Sequence, residues 1–206
     1  MGEHFLPSVE TFAAAIDRLA SEDALSLPFM DEALTAYLLA ESEKMSYLPA
    51  TPTLGGAERR VYQDFELTMT FQPDDPFSRF ARALDRLSDA ALALLDPNPC
   101  PGMTHNDLIL QRYQPGSGGI TPHRDHIRYC GLVSLFLLTG HGDFYVCKDR
   151  DGADARSLPS PSGSLVLMRG AGFAGLKDRP FHTLRDIRSF RVSFGLRWDT
   201  RPGEPI

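Results

Sequence analysis

Cysteine is scarce in this chain: Cys100, Cys130 and Cys147 are the only three. Their number is odd and none shares a paired metal-type spacing, which argues against a disulfide framework and against a zinc ribbon. Free thiols in a reducing compartment are expected. No run approaches the roughly 18 apolar residues of a membrane span, and Met1-Gly2-Glu3-His4 lacks the basic start and apolar stretch of a secretory signal. A soluble cytoplasmic protein is therefore expected. Internal repeats, low-complexity stretches and Lys/Arg runs are absent too, which removes solenoids and the most obvious phosphate cradles. With 206 residues, 42% of them hydrophobic, the chain can build one sizeable core.

Charge is unevenly placed. Residues 1–60 hold ten acids against four bases, so the whole net charge of -6 lies there, and residues 61–206 hold seventeen of each. An acidic total would argue against a polyanionic partner. The neutrality of the second part weakens that argument.

The first 95 residues have helical texture. Ser8 can cap a segment with Val9, Phe12, Ala13, Ile16, Leu19 and Ala20 at helical spacing. Asp31 can open a second helix with Leu34, Tyr37, Leu38 and Met45 on its apolar face. Asp75-Pro76 is a start signal for a third, a capping acid followed by proline at the first helical position. Arg60 to Phe71 alternates as a strand would, and the run Asp96 to Gly102 breaks all periodicity. From Asn106 onward, short apolar runs broken by Gly, Pro and Asp predict strands near 107–114, 119–124, 130–138, 143–148, 164–169, 181–186 and 189–198. The expected organisation is one compact unit, with a support region over 1–105 and a β core over 106–200. Its fold class is α+β, mainly β: a sandwich or barrel buttressed by N-terminal helices.

The chemistry-bearing residues gather in the second part. His123 and Asp125 are two apart, so on a strand both side chains leave one face and can converge on one ion, with Arg124 pointing away. A lone His-x-Asp carries little weight, and a third ligand must come from another strand. His126 faces away on a continuing strand, His141 sits in a Gly140-His141-Gly142 hairpin turn, His4 precedes the fold, and His105 follows a Pro-rich loop. His182 lies in an apolar strand-like context. Two imidazoles and a carboxylate hold one face of a ferrous iron and leave positions open. In the last strand, Arg191 and Arg197 share a face with Ser193 and Gly195. Arginine on an inward face is costly unless an anion meets it, and guanidinium matches a carboxylate bidentately. Alternation alone leaves open whether that face is inward or solvated.

Taken in order, Tyr113-Gln114-Pro115-Gly116, His123-Arg124-Asp125, His182 and the Arg191 to Arg197 strand resemble the catalytic core of the AlkB-like branch of the 2-oxoglutarate and Fe(II)-dependent dioxygenases. The resemblance covers about the last half of the chain, and the combination is far more specific than any one member. It implies a double-stranded β-helix, or jelly roll, in which His123, Asp125 and His182 bind Fe(II). It further implies that Arg191 salt-bridges the distal carboxylate of 2-oxoglutarate, that Tyr113 hydrogen-bonds the same co-substrate, and that Arg197 orients the site or contacts the inner carboxylate. The implied reaction couples O2 and the decarboxylation of 2-oxoglutarate to oxidation of a C–H bond. Asp125 favours hydroxylation or demethylation over halogenation, where a small residue replaces it.

Two departures stand out: Gln111 stands where the family often has asparagine two before the tyrosine, which bears on co-substrate binding, and the glycine-rich loop from Gly116 to Gly119 is longer than the resemblance to the bacterial repair enzymes implies. The N-terminal region does not match the lid that grips a flipped base in those enzymes. The favoured reading is therefore a hydroxylase of an undefined, small-molecule substrate. The alternatives are a nucleic-acid demethylase and a non-catalytic barrel acting as a binding module. Arg124, His126, Arg128, Phe144, Tyr145, Phe173 and Trp198 are candidates for the mouth, each weighed against ordinary packing or solvated surface. The glycine-rich segment 170–175 has the composition of a mobile loop, or of a long turn.

Overall fold

A computed structural model describes residues 2–201. The elements in chain order are α1 (Val9–Glu22), β1 (Ala24–Pro28), α2 (Glu32–Ser42), β2 (Leu48–Pro49), β3 (Thr53–Leu54), β4 (Val61–Asp64), β5 (Glu66–Thr68), α3 (Pro76–Leu92), β6 (Asp107–Tyr113) and β7 (Gly119–His123). There follow β8 (Tyr129–Thr139), β9 (Asp143–Cys147), β10 (Arg156–Leu158), β11 (Ser164–Arg169), β12 (Phe181–Arg185) and β13 (Arg191–Asp199). Two antiparallel sheets result, a seven-stranded one in the order β1-β11-β8-β13-β6-β5-β2 and a six-stranded one in the order β10-β9-β12-β7-β4-β3. This is the expected jelly roll with helices laid on the larger sheet. Among the described residues no helix is long and apolar enough to cross a membrane.

All three helices begin where capping chemistry places them. Ser8, Asp31 and Asp75 accept the backbone N–H groups of Thr11, Leu34 and Ser78 at 3.2, 2.7 and 2.7 Å, each satisfying a donor the helix cannot. The helices bury one face against the larger sheet through Phe12, Phe77, Phe80, Phe136 and Phe194. Phe136 and Phe194 stack across β8 and β13 with ring centroids 4.8 Å apart, and each fully buried phenylalanine contributes about 1.5–3 kcal/mol. Tyr37, expected on the apolar face of α2, is 39% exposed; Thr35 takes its place in the buried set, its hydroxyl donating to the Asp31 carbonyl.

A second apolar cluster lies between the sheets, with Phe65, Tyr113, Val133, Phe144, Val166 and Leu184 among its members. Phe65 explains why Arg60 to Phe71 is two strands rather than one. It is buried at the break between β4 and β5, and the chain there crosses from one sheet to the other, β4 pairing with β7 and β5 with β6. The Gly140-His141-Gly142 turn is likewise a corner, not a hairpin, because β8 belongs to the larger sheet and β9 to the smaller. Gly140 takes φ +93°, and a Cβ there would stand 2.2 Å from the Phe190 carbonyl oxygen, so only glycine makes this crossing without strain. Residues 170–175 form a packed turn: Ala171 bridges to Cys130, and Phe173 is fully buried.

Candidate functional site

The sheets enclose a cavity of about 570 Å³, and the strand registers decide what faces it. β12 lies directly beside β7 with His182 opposite His123, and the two imidazole centroids are 4.2 Å apart. β7 ends at His123, so Asp125 reaches the same place from the first turn of the following loop rather than from the strand itself. One ligand atom from each of His123, Asp125 and His182 lies within 4.8 Å of the others. The expected trio is therefore brought together. His4 instead pairs with Asp31 and His105 with Asp85, His126 caps the turn at Arg128, and His141 sits at the corner.

Electrostatics suit the trio to a cation. The Nδ1 of His123 faces the Thr121 carbonyl at 3.0 Å and that of His182 faces the Pro180 carbonyl at 3.5 Å. A neutral ring donating from Nδ1 leaves the Nε2 lone pair for a metal. Burial holds both imidazoles below their ordinary pKa, and for His123 the neighbouring His182 adds to the effect. Burial works against the charge of Asp125, but His182, Arg197, His123 and Arg179 outweigh it and hold the carboxyl below the usual range. Neutral nitrogens beside an ionised carboxylate are the donor set of a two-histidine, one-carboxylate iron site, so these residues fit the metal.

β13 settles the orientation of the arginines. Val192, Phe194 and Leu196 pack toward the helices, while Arg191, Ser193 and Arg197 line the cavity. The solvated alternative for that face falls away. Arg191 is 5% exposed. Its Nη1 donates to Ser193 Oγ at 2.9 Å, its Nε has no partner, and it forms no ion pair among the described residues. Desolvation lowers its pKa from a value so high that it remains charged. Opposite it in register stands Tyr113, whose ring lies 5.6 Å from the guanidinium carbon and whose phenol is pushed up to about 12 by burial, only partly offset by Arg191. Gln111, two register positions further along, faces the cavity opposite Ser193. Arg197 differs from Arg191 in being paired: its Nη2 lies 2.6 Å from Asp107 Oδ2 and its Nη1 3.8 Å from Asp125 Oδ1.

Of the residues proposed for the mouth, Arg124, His126, Arg128 and Phe144 line the cavity. Tyr145 stacks under Arg185 instead, and Phe173 and Trp198 belong to the core beneath the helices. Three contributors escaped the sequence: Asp107, Arg150, and Arg179, whose Nε donates to the Asp125 carbonyl at 2.9 Å. Asp107 alone had a signal, as the first acid of a strand that could pair with Arg197.

No protein-family model and no curated protein matches the sequence. Solved structures do match the fold. A prolyl-4-hydroxylase from Pseudomonas putida superposes with a TM-score of 0.68 at 16% identity, over 94% of this chain and 100% of that one. An oxidoreductase of the 2OG-Fe(II) oxygenase family from Burkholderia pseudomallei gives 0.62 at 15% identity, over 97% and 94%. The structure described as OsALKBH1 gives 0.60 at 14% identity, over 85% and 97%. The chain thus has the jelly-roll fold found in 2-oxoglutarate and Fe(II) oxygenases, including an AlkB-like one.

Proposed function

We propose that the protein is a 2-oxoglutarate- and Fe(II)-dependent dioxygenase that hydroxylates, or oxidatively demethylates, a small organic substrate. The observation that carries this reading is Arg191, a buried guanidinium without a counter-charge, in the same cavity as the converging ligand atoms of His123, Asp125 and His182. A buried cation of that kind calls for an anion, and 2-oxoglutarate is one that suits iron. When bound at the three ligands, Fe(II) supplies the open positions at which O2 and 2-oxoglutarate yield succinate, carbon dioxide and one oxidised C–H bond of the substrate.

The chain's own groups divide the remaining work. Arg191 takes the distal carboxylate bidentately, with Ser193 holding one of its nitrogens. Tyr113 is protonated across the physiological range and donates its hydroxyl to the same co-substrate. Arg197, tied to Asp107, holds Asp125 in its ionised form and turns its charge toward the inner carboxylate. The apolar walls formed by Phe144, Val166 and Leu184 exclude water from the reacting groups. All of these groups lie within 106–200, the part assigned as catalytic core, with 1–105 as its support. The three unpaired cysteines accord with a reducing compartment such as the cytoplasm. A small substrate is favoured over a nucleic acid because Arg124 and Arg128, at the cavity, are already paired with Asp178 and Asp199, whereas a polynucleotide is held by several free cations.

The test is succinate release with Fe(II), 2-oxoglutarate and O2, alongside an anaerobic Fe(II) titration. The wild type is expected to bind one Fe(II) and release succinate, and Asp125→Ala to lose both. Absence of ferrous binding and of turnover in the wild type overturns the reading and leaves a binding module.

A further inference from the structure

We infer that the primary substrate is a small organic acid, and that Arg150 binds its acidic group; this rests on the dioxygenase reading above. Six arginines line the cavity against a single carboxylate, Asp125. Five of the six are accounted for. Arg197 is paired with Asp107, and Arg124 with Asp178 at 3.0 Å; Arg128 has a counter-charge in Asp199 at 3.0 Å, which it shares with Arg201, and its buried Nε makes no hydrogen bond. Arg191 is assigned to the co-substrate, and Arg59 is exposed to water.

Arg150 is left. It is half-buried on the loop after β9, and its Nη1 is shut off from solvent with no hydrogen-bond partner. Among the described residues it forms no ion pair. The acid before it does not help, because Asp149 Oδ1 accepts the backbone N–H groups of Asp151 and Ala153 at 3.0 Å each and is committed to the turn. The guanidinium carbon of Arg150 lies 5.6 Å from the centre of the Phe181 ring, on which Arg124 also stacks at 4.2 Å. Phe181 faces away from His182 on β12, so the unsatisfied cation stands at the rim of the cavity beside Arg124.

A guanidinium nitrogen that has lost water and gained no partner is costly, and an anion entering the cavity compensates it. The planar fork matches a carboxylate or a phosphate monoester. The cavity that Arg150 lines also has apolar walls, Val61, Ile120, Phe144 and Leu184 among them, which suit an apolar body carrying the acid. The cavity volume falls within the ~300–1,000 Å³ of small-molecule sites. One unpaired, half-buried cation suits one acidic group; a polyanion would be met by a row of them.

The experiment measures binding to the anaerobic protein loaded with Fe(II) and 2-oxoglutarate. Octanoate and phenylacetate are compared with octanamide and phenylacetamide, phenyl phosphate with phenol, and a single-stranded oligonucleotide is included. At least one acid is expected to bind about tenfold or more tightly than its neutral counterpart. In Arg150→Gln that ratio falls toward one, and Arg150→Lys retains part of it. Equal binding of acid and neutral partner, an unchanged ratio in Arg150→Gln, no binding by any acid, or preference for the oligonucleotide each overturns the inference. The wild-type ratio needs no variant, so misfolding of Arg150→Gln leaves the test intact. Fe(II) and 2-oxoglutarate binding is measured first in the same samples. Its failure removes the dioxygenase reading, whereas its success with no acid preference removes only this inference.

Discussion

Arg197 and Asp107 stand opposite each other across β13 and β6 and close an ion pair of 2.6 Å, with each side chain largely buried. Arg197 also lies over the Tyr129 ring, 4.1 Å from its centre, and its remaining nitrogen faces Asp125. Burial opposes the charge of Arg197, but Asp125 and Asp107 outweigh it and raise its pKa. One guanidinium therefore links a strand acid to a proposed iron ligand. Asp107→Ala leaves that cation buried with half its counter-charge, and breaking a buried pair from one side costs about 3–5 kcal/mol. Urea unfolding should register the loss, and a Fe(II) titration should show weaker binding because Arg197 is released onto Asp125. Unchanged metal affinity in a folded variant would confine the pair to a structural role.

Arg191 presents the opposite balance. Its desolvation is uncompensated in the protein alone, so Arg191→Met removes a cost while keeping an unbranched side chain. The melting temperature of the unliganded variant is expected to rise or hold, and 2-oxoglutarate binding is expected to weaken by about 10–100-fold, equivalent to losing roughly 1.5–3 kcal/mol of charge-assisted hydrogen bonding. Stability and function then move in opposite directions, the mark of a residue kept for its ligand. A variant that melts lower and binds the co-substrate normally would contradict this account of Arg191.

The elements most legible in the sequence were those whose pattern is local. Ser8, Asp31 and Asp75 announce their helices by side-chain chemistry alone, and β6 to β9 and β11 to β13 stand out because short apolar runs are bounded by Gly, Pro and Asp. β2, β3 and β10 are two or three residues long, too short to show a period, and β1 has adjacent buried residues instead of alternation. The sheet-to-sheet crossings at Phe65 and Gly140 depend on tertiary packing that no local pattern encodes. The site divides in the same way. His123, Asp125, His182, Arg191 and Arg197 follow from spacing, resemblance and strand alternation. Arg150 and Arg179 look like ordinary surface charges until loop geometry brings them to the site, and the strand signal of Asp107 becomes specific only once register sets it opposite Arg197.

Tyr113 supplies a pH dependence with a definite sign. Its phenol titrates near 10 in an unfolded chain and is pushed up to about 12 in the fold, so the folded state holds the proton more tightly. The resulting stability is fully present below about pH 10. It is lost as pH rises through the folded value of about 12. Two pH units correspond to about 2–3 kcal/mol. Tyr113→Phe has no such proton, so its unfolding free energy should fall less steeply than the wild type's across that window. Parallel stability curves for the two proteins would show that Tyr113 is not the group responsible.

Gly119 and Gly172 separate backbone strain from displacement of the site. Both have positive φ, +66° and +78°, but a Cβ at Gly119 would stand 2.0 Å from the Leu184 carbonyl oxygen, whereas one at Gly172 meets nothing within 4 Å. Gly172→Ala therefore bears only the left-handed backbone penalty, roughly 1–2 kcal/mol, and should bind Fe(II) as the wild type does. Gly119→Ala bears that penalty and must also push β7 away from β12, the two strands whose register sets His123 opposite His182. It should lose more stability than Gly172→Ala and bind Fe(II) measurably more weakly, with urea unfolding and metal titration performed on both variants. Equal losses in the two would mean that the β7–β12 contact absorbs a methyl group without moving the histidines.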